Sequence, residues 1–165
     1  MVEQGSISLL SRLKVGLKLI PLILGLFIFY LYGFLWTLKP RKIKSMKDVL
    51  ELFYIDFLML KREHVEVVKL TDTELITVSR NPCPILKLTL MLKMDTRYTC
   101  KLVSEPVCRY VLRHIDPRLV FERNYNHIRP YADGCLERIF LKPLNEKPRL
   151  IRSVTFSLSL MKEET

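Results

Sequence analysis

The longest apolar stretch of the chain is residues 19–38, which contain no charged side chain. A helix rises about 1.5 Å per residue, so this stretch would extend roughly 30 Å, the thickness of the hydrocarbon core of a bilayer. Tyr30, Tyr32 and Trp36 lie toward its C-terminal end, where aromatic rings favour the headgroup layer. The pattern predicts a transmembrane helix, and a helix buried in a soluble fold is the alternative.

Basic residues flank this stretch on both sides and predict its orientation. Those before it are Arg12, Lys14 and Lys18, and those just after it are Lys39, Arg41, Lys42, Lys44 and Lys47. The more basic flank tends to stay in the cytoplasm. We therefore predict a single-pass membrane protein with an N-terminal tail over residues 1–18, a basic juxtamembrane linker over 39–47 and a cytoplasmic domain over 48–165.

Hydrophobic periodicity after the linker changes several times. Residues 45–64 are apolar on most of their helical circumference, with Ser45 as an N-cap and Asp48 in the first turn, which predicts a core helix. Residues 65–79 alternate around a Thr-Asp-Thr turn, which predicts a hairpin. Residues 85–94 fit either a strand or a short helix.

The second half of the domain predicts one more helix and further strands. Residues 104–116 place their apolar side chains on one helical face, with Ser104 as the candidate N-cap. Residues 119–141 indicate two strands joined at an Asp133-Gly134 turn, and residues 153–160 alternate strictly between apolar and hydroxyl side chains. The fold class predicted is α+β, with helices packed on an antiparallel sheet.

Charge adds a preference for anionic surfaces. The chain has 27 Lys and Arg against 17 Asp and Glu, a net charge of +10. Such a balance suits nucleic acid or anionic lipid. No nucleic-acid motif and no basic run interleaved with aromatic residues is present, so nucleic acid is an unlikely partner and membrane lipid is the predicted one.

Four cysteines carry the candidate chemistry: Cys83, Cys100, Cys108 and Cys135. No two of them have the close spacing of a zinc knuckle, and a cytoplasmic domain argues against disulfides. Cys100 and Cys108 fit the usual burial of free cysteine. Cys83 lies between two prolines and Cys135 follows Asp133-Gly134, so these two are the candidate nucleophiles. A Cys-Pro dipeptide is also a possible haem ligand.

The sequence contains no known catalytic motif, and the remaining candidates for catalysis or substrate binding are individual side chains. The sequence has no nucleophile elbow, Walker loop, dinucleotide fingerprint or zinc-protease motif. Asp133 and His127 are candidate proton carriers. Arg123 and Arg129 could bind a substrate carboxylate through two hydrogen bonds, or they are simply solvated strand positions.

Residues 74–140 combine a Cys83-Pro84 segment, a later cysteine, the stretch "DPRLVFER" and a final Asp133-Gly134-Cys135 before a strand. In these features the chain resembles the L-2-amino-thiazoline-4-carboxylate hydrolase family, whose ring-opening members convert the thiazoline to a carbamoyl-cysteine. Vinyl-reductase-like small-ligand domains end similarly and are a second resemblance.

The resemblance implies a membrane-anchored hydrolase of a cyclic amidine-type C–N bond. A thiolate of Cys83 or Cys135 would attack the ring carbon, Asp133 or His127 would move the proton, and Arg123 or Arg129 would hold the carboxylate. The alternatives are a non-catalytic ligand-sensing or partner-binding module and a purely structural membrane protein. No cofactor, metal or oligomeric state is indicated.

Overall fold

The computed structural model describes residues 3–143, with the side chains from Leu19 onward. The helices are α1 (Glu3–Thr37), α2 (Met46–Val49), α3 (Pro84–Met91), α4 (Thr96–Thr99) and α5 (Glu105–Ile115). The strands are β1 (Val65–Leu70), β2 (Glu74–Ser79), β3 (Leu119–Arg123) and β4 (Cys135–Leu141). Two π-helices, Leu50–Phe57 and Cys100–Ser104, continue α2 and α4, and a 3₁₀-helix covers Arg62–His64.

The strands form one antiparallel sheet in the order β1-β2-β4-β3. The predicted hairpin is confirmed, since β1 and β2 pair directly across residues 71–73. The predicted α+β class with an antiparallel sheet is likewise confirmed. The predicted strand at residues 153–160 lies outside the described residues.

One face of the sheet packs against the helices and forms the core. Leu75, Phe121 and Ile139 of the sheet meet apolar side chains of α5 and of the π-helix Leu50–Phe57. Burial of large aliphatic and aromatic side chains is the main driving force for such packing. The core lies between the sheet and the helical layer, and α1 packs over the outside of that layer.

Helix α1 is longer than predicted and only partly covered. It starts at Glu3, so most of the predicted N-terminal tail is helical. Residues Leu19–Thr37 have a mean hydropathy of 2.2, and only 11% of that segment is buried inside the protein. The helix is therefore long and apolar enough to cross a membrane, by length and composition alone. Its inner face contacts the domain, where Gly33 lies against Val107 and Val111 of α5.

The predicted helix over residues 45–64 begins as expected and ends early. Ser45 accepts a hydrogen bond from the Asp48 amide, and the Asp48 carboxylate accepts one from the Ser45 amide, which completes a capping box. The helical run then widens into the π-helix and ends at Phe57. Met59 follows with a φ of 51°, so the predicted extension of the helix to residue 64 was wrong.

Two further expectations need correction. Ser104 does not cap α5, because it lies within the π-helix Cys100–Ser104 and donates its hydroxyl to the Cys100 carbonyl. Strands β3 and β4 are joined by residues 124–134, so Asp133-Gly134 precedes β4 at the end of a long loop rather than forming a tight hairpin turn. The ambiguous segment 85–94 is helical over most of its length, as α3.

Candidate functional site

The pairing of the strands places polar side chains in rows on the inner face of the sheet. Side chains two positions apart along a strand point to the same face. Thr77, Glu137 and Arg123 form one row across β2, β4 and β3, next to the apolar core row. Ser79 and Cys135 form the next row toward the sheet's end. The polar rows therefore face the helical layer and not solvent.

Arg123 and Glu137 form an ion pair that is satisfied within the protein. Arg123 donates from Nε and Nη2 to Glu137 Oε1, at 3.0 and 2.6 Å, and from Nη1 to Ser104 Oγ at 2.6 Å. The Tyr54 hydroxyl donates a hydrogen bond to Glu137 Oε2 at 2.9 Å and accepts a hydrogen bond from the Thr77 hydroxyl. Burial alone would lower the pKa of the Arg123 guanidinium, but the Glu137 carboxylate outweighs burial and raises it. Such pairs stay charged only when hydrogen-bonded in this way.

Beside this ion pair lies a cavity of about 600 Å³, within the range of small-molecule pockets. Its walls come mainly from apolar side chains of α1, α3 and the segment after the π-helix Leu50–Phe57. These wall residues are Gly25, Ile28, Phe29, Tyr32, Phe57, Leu58, Met59, Leu60, Pro84, Ile85 and Leu88. Its polar lining comes from Ser79, Asn81, Ser104, Arg123, Arg129, Glu137 and the four cysteines. The cavity is therefore an apolar space with polar groups concentrated on one side.

All four cysteines line this cavity, and all four are free thiols. Cys83 precedes α3, and Cys135 begins β4, so each is held by the start of an element. Cys100 and Cys108 are buried as predicted, yet their side chains also reach the cavity wall. Burial raises the pKa of the Cys100 thiol to about 11 and that of the Cys108 thiol to about 12. These two thiols are therefore protonated, and weakly nucleophilic, at neutral pH.

Arg129 lines the same cavity but has a different environment from Arg123. Its Nη1 donates to the Asn81 carbonyl, and its Nη2 donates to Asn81 Oδ1 at 3.2 Å. Its Nε is enclosed and has no acceptor among the described residues. Within residues 19–143, no carboxylate lies at ion-pair distance from this guanidinium. Among residues 19–143, Arg129 is thus the cavity arginine without a carboxylate partner, while Asn81 accepts its two hydrogen bonds.

Asp133 and His127 do not join the cysteines in the cavity. Asp133 Oδ1 lies 3.5 Å from His127 Nε2, and Asp133 Oδ2 lies 2.7 Å from Arg80 Nη2. This group lies at the surface, with the Asp133 side chain 65% exposed. Hydrogen bonds from Arg80 hold the pKa of the Asp133 carboxyl below its usual value. The structure therefore brings together Cys83, Cys135, Arg123 and Arg129, but keeps the two predicted proton carriers apart from them.

The polar lining offers few groups for acid–base work. The carboxylate that reaches the cavity is Glu137, and both of its oxygens are occupied by Arg123 and Tyr54. No group of three or more His, Cys, Asp or Glu side chains within residues 19–143 is placed to hold a metal ion. The arrangement is suited to enclosing an apolar molecule and to holding an anionic group at Arg129.

Sequence reasoning missed several residues that define the cavity. Cys100, Ser104 and Cys108 recur every four residues and line it together, so their small side chains leave room beside the helical run. That spacing was a usable signal. The contribution of α1 could not be predicted, because its charge-free part, residues 19–37, carries no pattern that marks one face as a cavity wall.

Comparisons with protein-family models, with curated proteins and with solved structures each found no match to this chain. The hydrolase-like resemblance over residues 74–140 therefore stays a prediction.

Proposed function

We propose that the chain is a membrane-attached module that binds a small apolar ligand in its cavity without converting it. The observation that carries this proposal is that α1 lines the cavity on one side and exposes apolar side chains on the other. Its residues Gly25, Phe29 and Tyr32 line the cavity, while large apolar side chains on the rest of the helix face outward. One helix thus supplies both a ligand-binding wall and the surface that we propose for lipid.

The outward face of α1 is apolar from Ile20 to Leu35. The outward side chains, each between 47% and 65% exposed, are Ile20, Ile23, Leu24, Phe27, Leu31, Phe34, Leu35 and, just beyond the helix, Leu38. They recur at intervals of three and four residues and so form one stripe. Soluble monomers rarely expose a contiguous apolar patch of this kind, which usually marks an interaction surface. We name this stripe the open face of α1.

The basic linker next to α1 supports a membrane as the partner. Lys39, Lys42, Lys44 and Lys47 are exposed and are placed to attract anionic headgroups. Arg41 is engaged internally, with its guanidinium 3.6 Å above the Trp36 ring and 3.3 Å from Asp56. Four lysines, rather than five basic residues, are therefore available to lipid.

The contact between α1 and the domain bears on how the helix would meet a bilayer. Phe29, Tyr32 and Trp36 all pack around Phe57, and Tyr32 donates its hydroxyl to the Phe57 carbonyl at 2.7 Å. With this side covered, lipid would contact the open face. We propose attachment along that face, because the predicted single-pass crossing with residues 39–165 in the cytoplasm requires α1 to separate from the domain.

Cavity binding is tested by native mass spectrometry of the full chain released from mild detergent, with methyl tetradecanoate as an uncharged probe. Leu88 lines the cavity and contacts Gly25, so Leu88→Trp should fill it and reduce probe binding at least tenfold. Met91→Trp is the matched control, because Met91 is on the same helix, is 71% exposed and does not line the cavity. Equal probe binding by wild type and Leu88→Trp would overturn the proposal.

Cysteine-dependent hydrolysis is the second candidate, because Cys83 and Cys135 line one cavity together with Arg129. Its test is turnover of 2-amino-thiazoline-4-carboxylate by the full chain, with products identified by mass spectrometry. Ring-opened product that is lost in Cys83→Ser or Cys135→Ser would replace binding with catalysis as the function. Undiminished turnover in both variants would exclude these thiols as nucleophiles.

A further inference from the structure

We infer that the ligand is a long-chain carboxylate whose anionic end binds Arg129, an inference that rests on the proposed binding function. It concerns the class of ligand and the residue that selects it. The argument uses the unequal environments of the two cavity arginines, the position of Arg129 and the size of the cavity.

The first step is that, of the two cavity arginines, Arg129 is the one with a nitrogen that makes no hydrogen bond within the described residues. Arginine carries five N–H donors and stays charged in proteins. Arg123 uses all three of its nitrogens on Glu137 and Ser104, whereas Arg129 makes its hydrogen bonds to the uncharged oxygens of Asn81. The enclosed Nε of Arg129 has no acceptor in the part of the chain that the structure describes. An enclosed donor without an acceptor is costly. Because Nε is enclosed, the donors open to a ligand carboxylate are the N–H groups of Nη1 and Nη2 that Asn81 leaves free.

The second step is that Asn81 holds the Arg129 guanidinium in place before any ligand arrives. Hydrogen bonds to the Asn81 carbonyl and side-chain oxygen come from Nη1 and Nη2, so the plane of the group is fixed. A fixed guanidinium loses little conformational freedom when it binds, and its planar geometry matches a carboxylate through two parallel hydrogen bonds. Arg129 is therefore suited to a carboxylate rather than to a neutral polar group.

The third step is that Arg129 lies where the apolar cavity meets a surface depression. A second space of about 400 Å³ is lined by Pro82, Leu86, Lys87 and Leu90, and it shares Asn81, Cys83, Pro84 and Arg129 with the main cavity. Lys87 is exposed beside this depression and adds a second positive charge. An apolar chain in the main cavity would thus carry its charged end at the boundary with solvent.

The fourth step is size. The cavity of about 600 Å³ equals the space of roughly 20 liquid water molecules at about 30 Å³ each. A methylene group is similar in size to a water molecule, so a chain of roughly 12–16 carbons fits the cavity. An amphiphile with one long chain and one carboxylate satisfies both the apolar walls and Arg129.

The experiment compares tetradecanoate with its methyl ester on the full chain by native mass spectrometry titration. The two probes share the chain and differ in the charge. A charge-assisted contact predicts that wild type binds the acid about ten- to a hundredfold more tightly than the ester. Arg129→Gln should bind both equally, and Arg129→Lys should keep part of the preference, since lysine keeps the charge without the planar fork.

Arg113→Gln is the matched control, because it removes the same charge from an exposed arginine that does not line the cavity. It should leave the preference for the acid unchanged. Equal affinity of wild type for acid and ester, which needs no variant, would overturn the inference while leaving the proposed binding function in place. Binding of neither probe to wild type would overturn both.

Discussion

At the scale of single residues, burial separates the four thiols that share the cavity. Cys100 and Cys108 are buried, while Cys83 and Cys135 are partly exposed. Only the thiolate reacts with alkylating agents, and the buried pair has a raised pKa through desolvation, to about 11 and about 12. The two pairs of thiols should therefore differ in accessibility, and the buried pair should be protonated as well.

This difference predicts the order of modification by iodoacetamide at pH 8. Cys83 and Cys135 should be alkylated first, and Cys100 and Cys108 should react only after unfolding, as read by peptide mass spectrometry over time. The folded pKa of the buried thiols lies above the ordinary value of 9.0. Their contribution to stability is therefore complete below pH 9 and is lost as pH rises through 11 to 12. Equal alkylation rates of all four at pH 8 would contradict the burial.

The ion pair between Arg123 and Glu137 makes a second prediction at this scale. Glu137→Leu would leave the buried guanidinium without its carboxylate and the Tyr54 hydroxyl without its acceptor. Removing one partner of a buried pair costs about 3–5 kcal/mol, measurable as a lower free energy of unfolding in urea. The matched control is Glu122→Gln, since Glu122 contacts Arg138 at the exposed surface, where an ion pair contributes about 0–1 kcal/mol.

The sequence indicated part of this residue-scale arrangement. Cys83 and Cys135 stood out because proline and glycine fixed their surroundings, and both line the cavity. The partner of Arg123 was not predictable, because the pairing register of β3 and β4 determines that Glu137 faces it. The position of Asp133 outside the cavity was likewise not predictable, since its partner Arg80 is 53 positions away along the chain.

At the scale of elements, α1 and α5 approach closely at one glycine. A Cβ atom added at Gly33 would lie 3.1 Å from Val107 Cγ1 and 3.2 Å from Val111 Cγ2. Both valines are buried in the core. Gly33 therefore determines how near the two helix axes can lie, as small residues do in other close helix pairs.

Gly33→Leu should accordingly push α1 away from α5. Overpacking of a filled interface costs about 1–3 kcal/mol, seen as a lower thermal midpoint, and the cavity wall formed by Phe29 and Tyr32 should shift with it. Gly16→Leu is the control, because nothing lies within 4 Å of an added Cβ there. The close approach would be refuted if both variants unfolded at the wild-type temperature.

The π-helices explain why the helical pattern was only partly readable. Leu50–Phe57 and Cys100–Ser104 have a wider turn than the 3.6 residues assumed in periodicity arguments. The existence of helices over residues 45–57 and 105–115 was still evident, because capping by Ser45 and the apolar face of α5 do not depend on that detail. The end of the first helix at Phe57 and the helical turns before Ser104 were not evident from the sequence.

At the scale of the whole molecule, hydropathy predicted an apolar helix over residues 19–38, and periodicity predicted the α+β class. The packing of this helix on the strands and helices that follow was not predictable, because residues 19–37 of α1 carry no charge and no polar face shows which of them make the contact. Aromatic contacts between Phe57 and the α1 residues Phe29, Tyr32 and Trp36 determine that orientation. The open face is what remains after this contact.

The open face predicts a surface-dependent membrane affinity. A variant with Phe27→Ser, Leu31→Ser and Phe34→Ser should no longer float with phosphatidylcholine vesicles in a density gradient. Burial of one fully exposed side chain contributes about 1.5–3 kcal/mol. Because these three are 65%, 47% and 48% exposed, losing them should reduce partitioning by roughly fifty- to three-thousandfold. The control carries Val67→Ser, Val68→Ser and Leu70→Ser on β1, which are also exposed and apolar. Similar flotation by both variants would rule out the open face as the lipid contact.

The four exposed lysines of the linker should add a preference for anionic lipid. Each lysine near an anionic surface contributes about 1 kcal/mol, and that attraction is screened by salt. Replacing Lys39, Lys42, Lys44 and Lys47 with glutamine should abolish the added affinity for phosphatidylserine-containing vesicles at low salt, while binding to phosphatidylcholine through the open face persists. The matched control replaces Lys87, Lys93, Lys101 and Lys142, which are also exposed but lie outside the linker. If both variants lose the same affinity, net charge attracts the protein to lipid; if only the linker variant does, the end of α1 faces the headgroups.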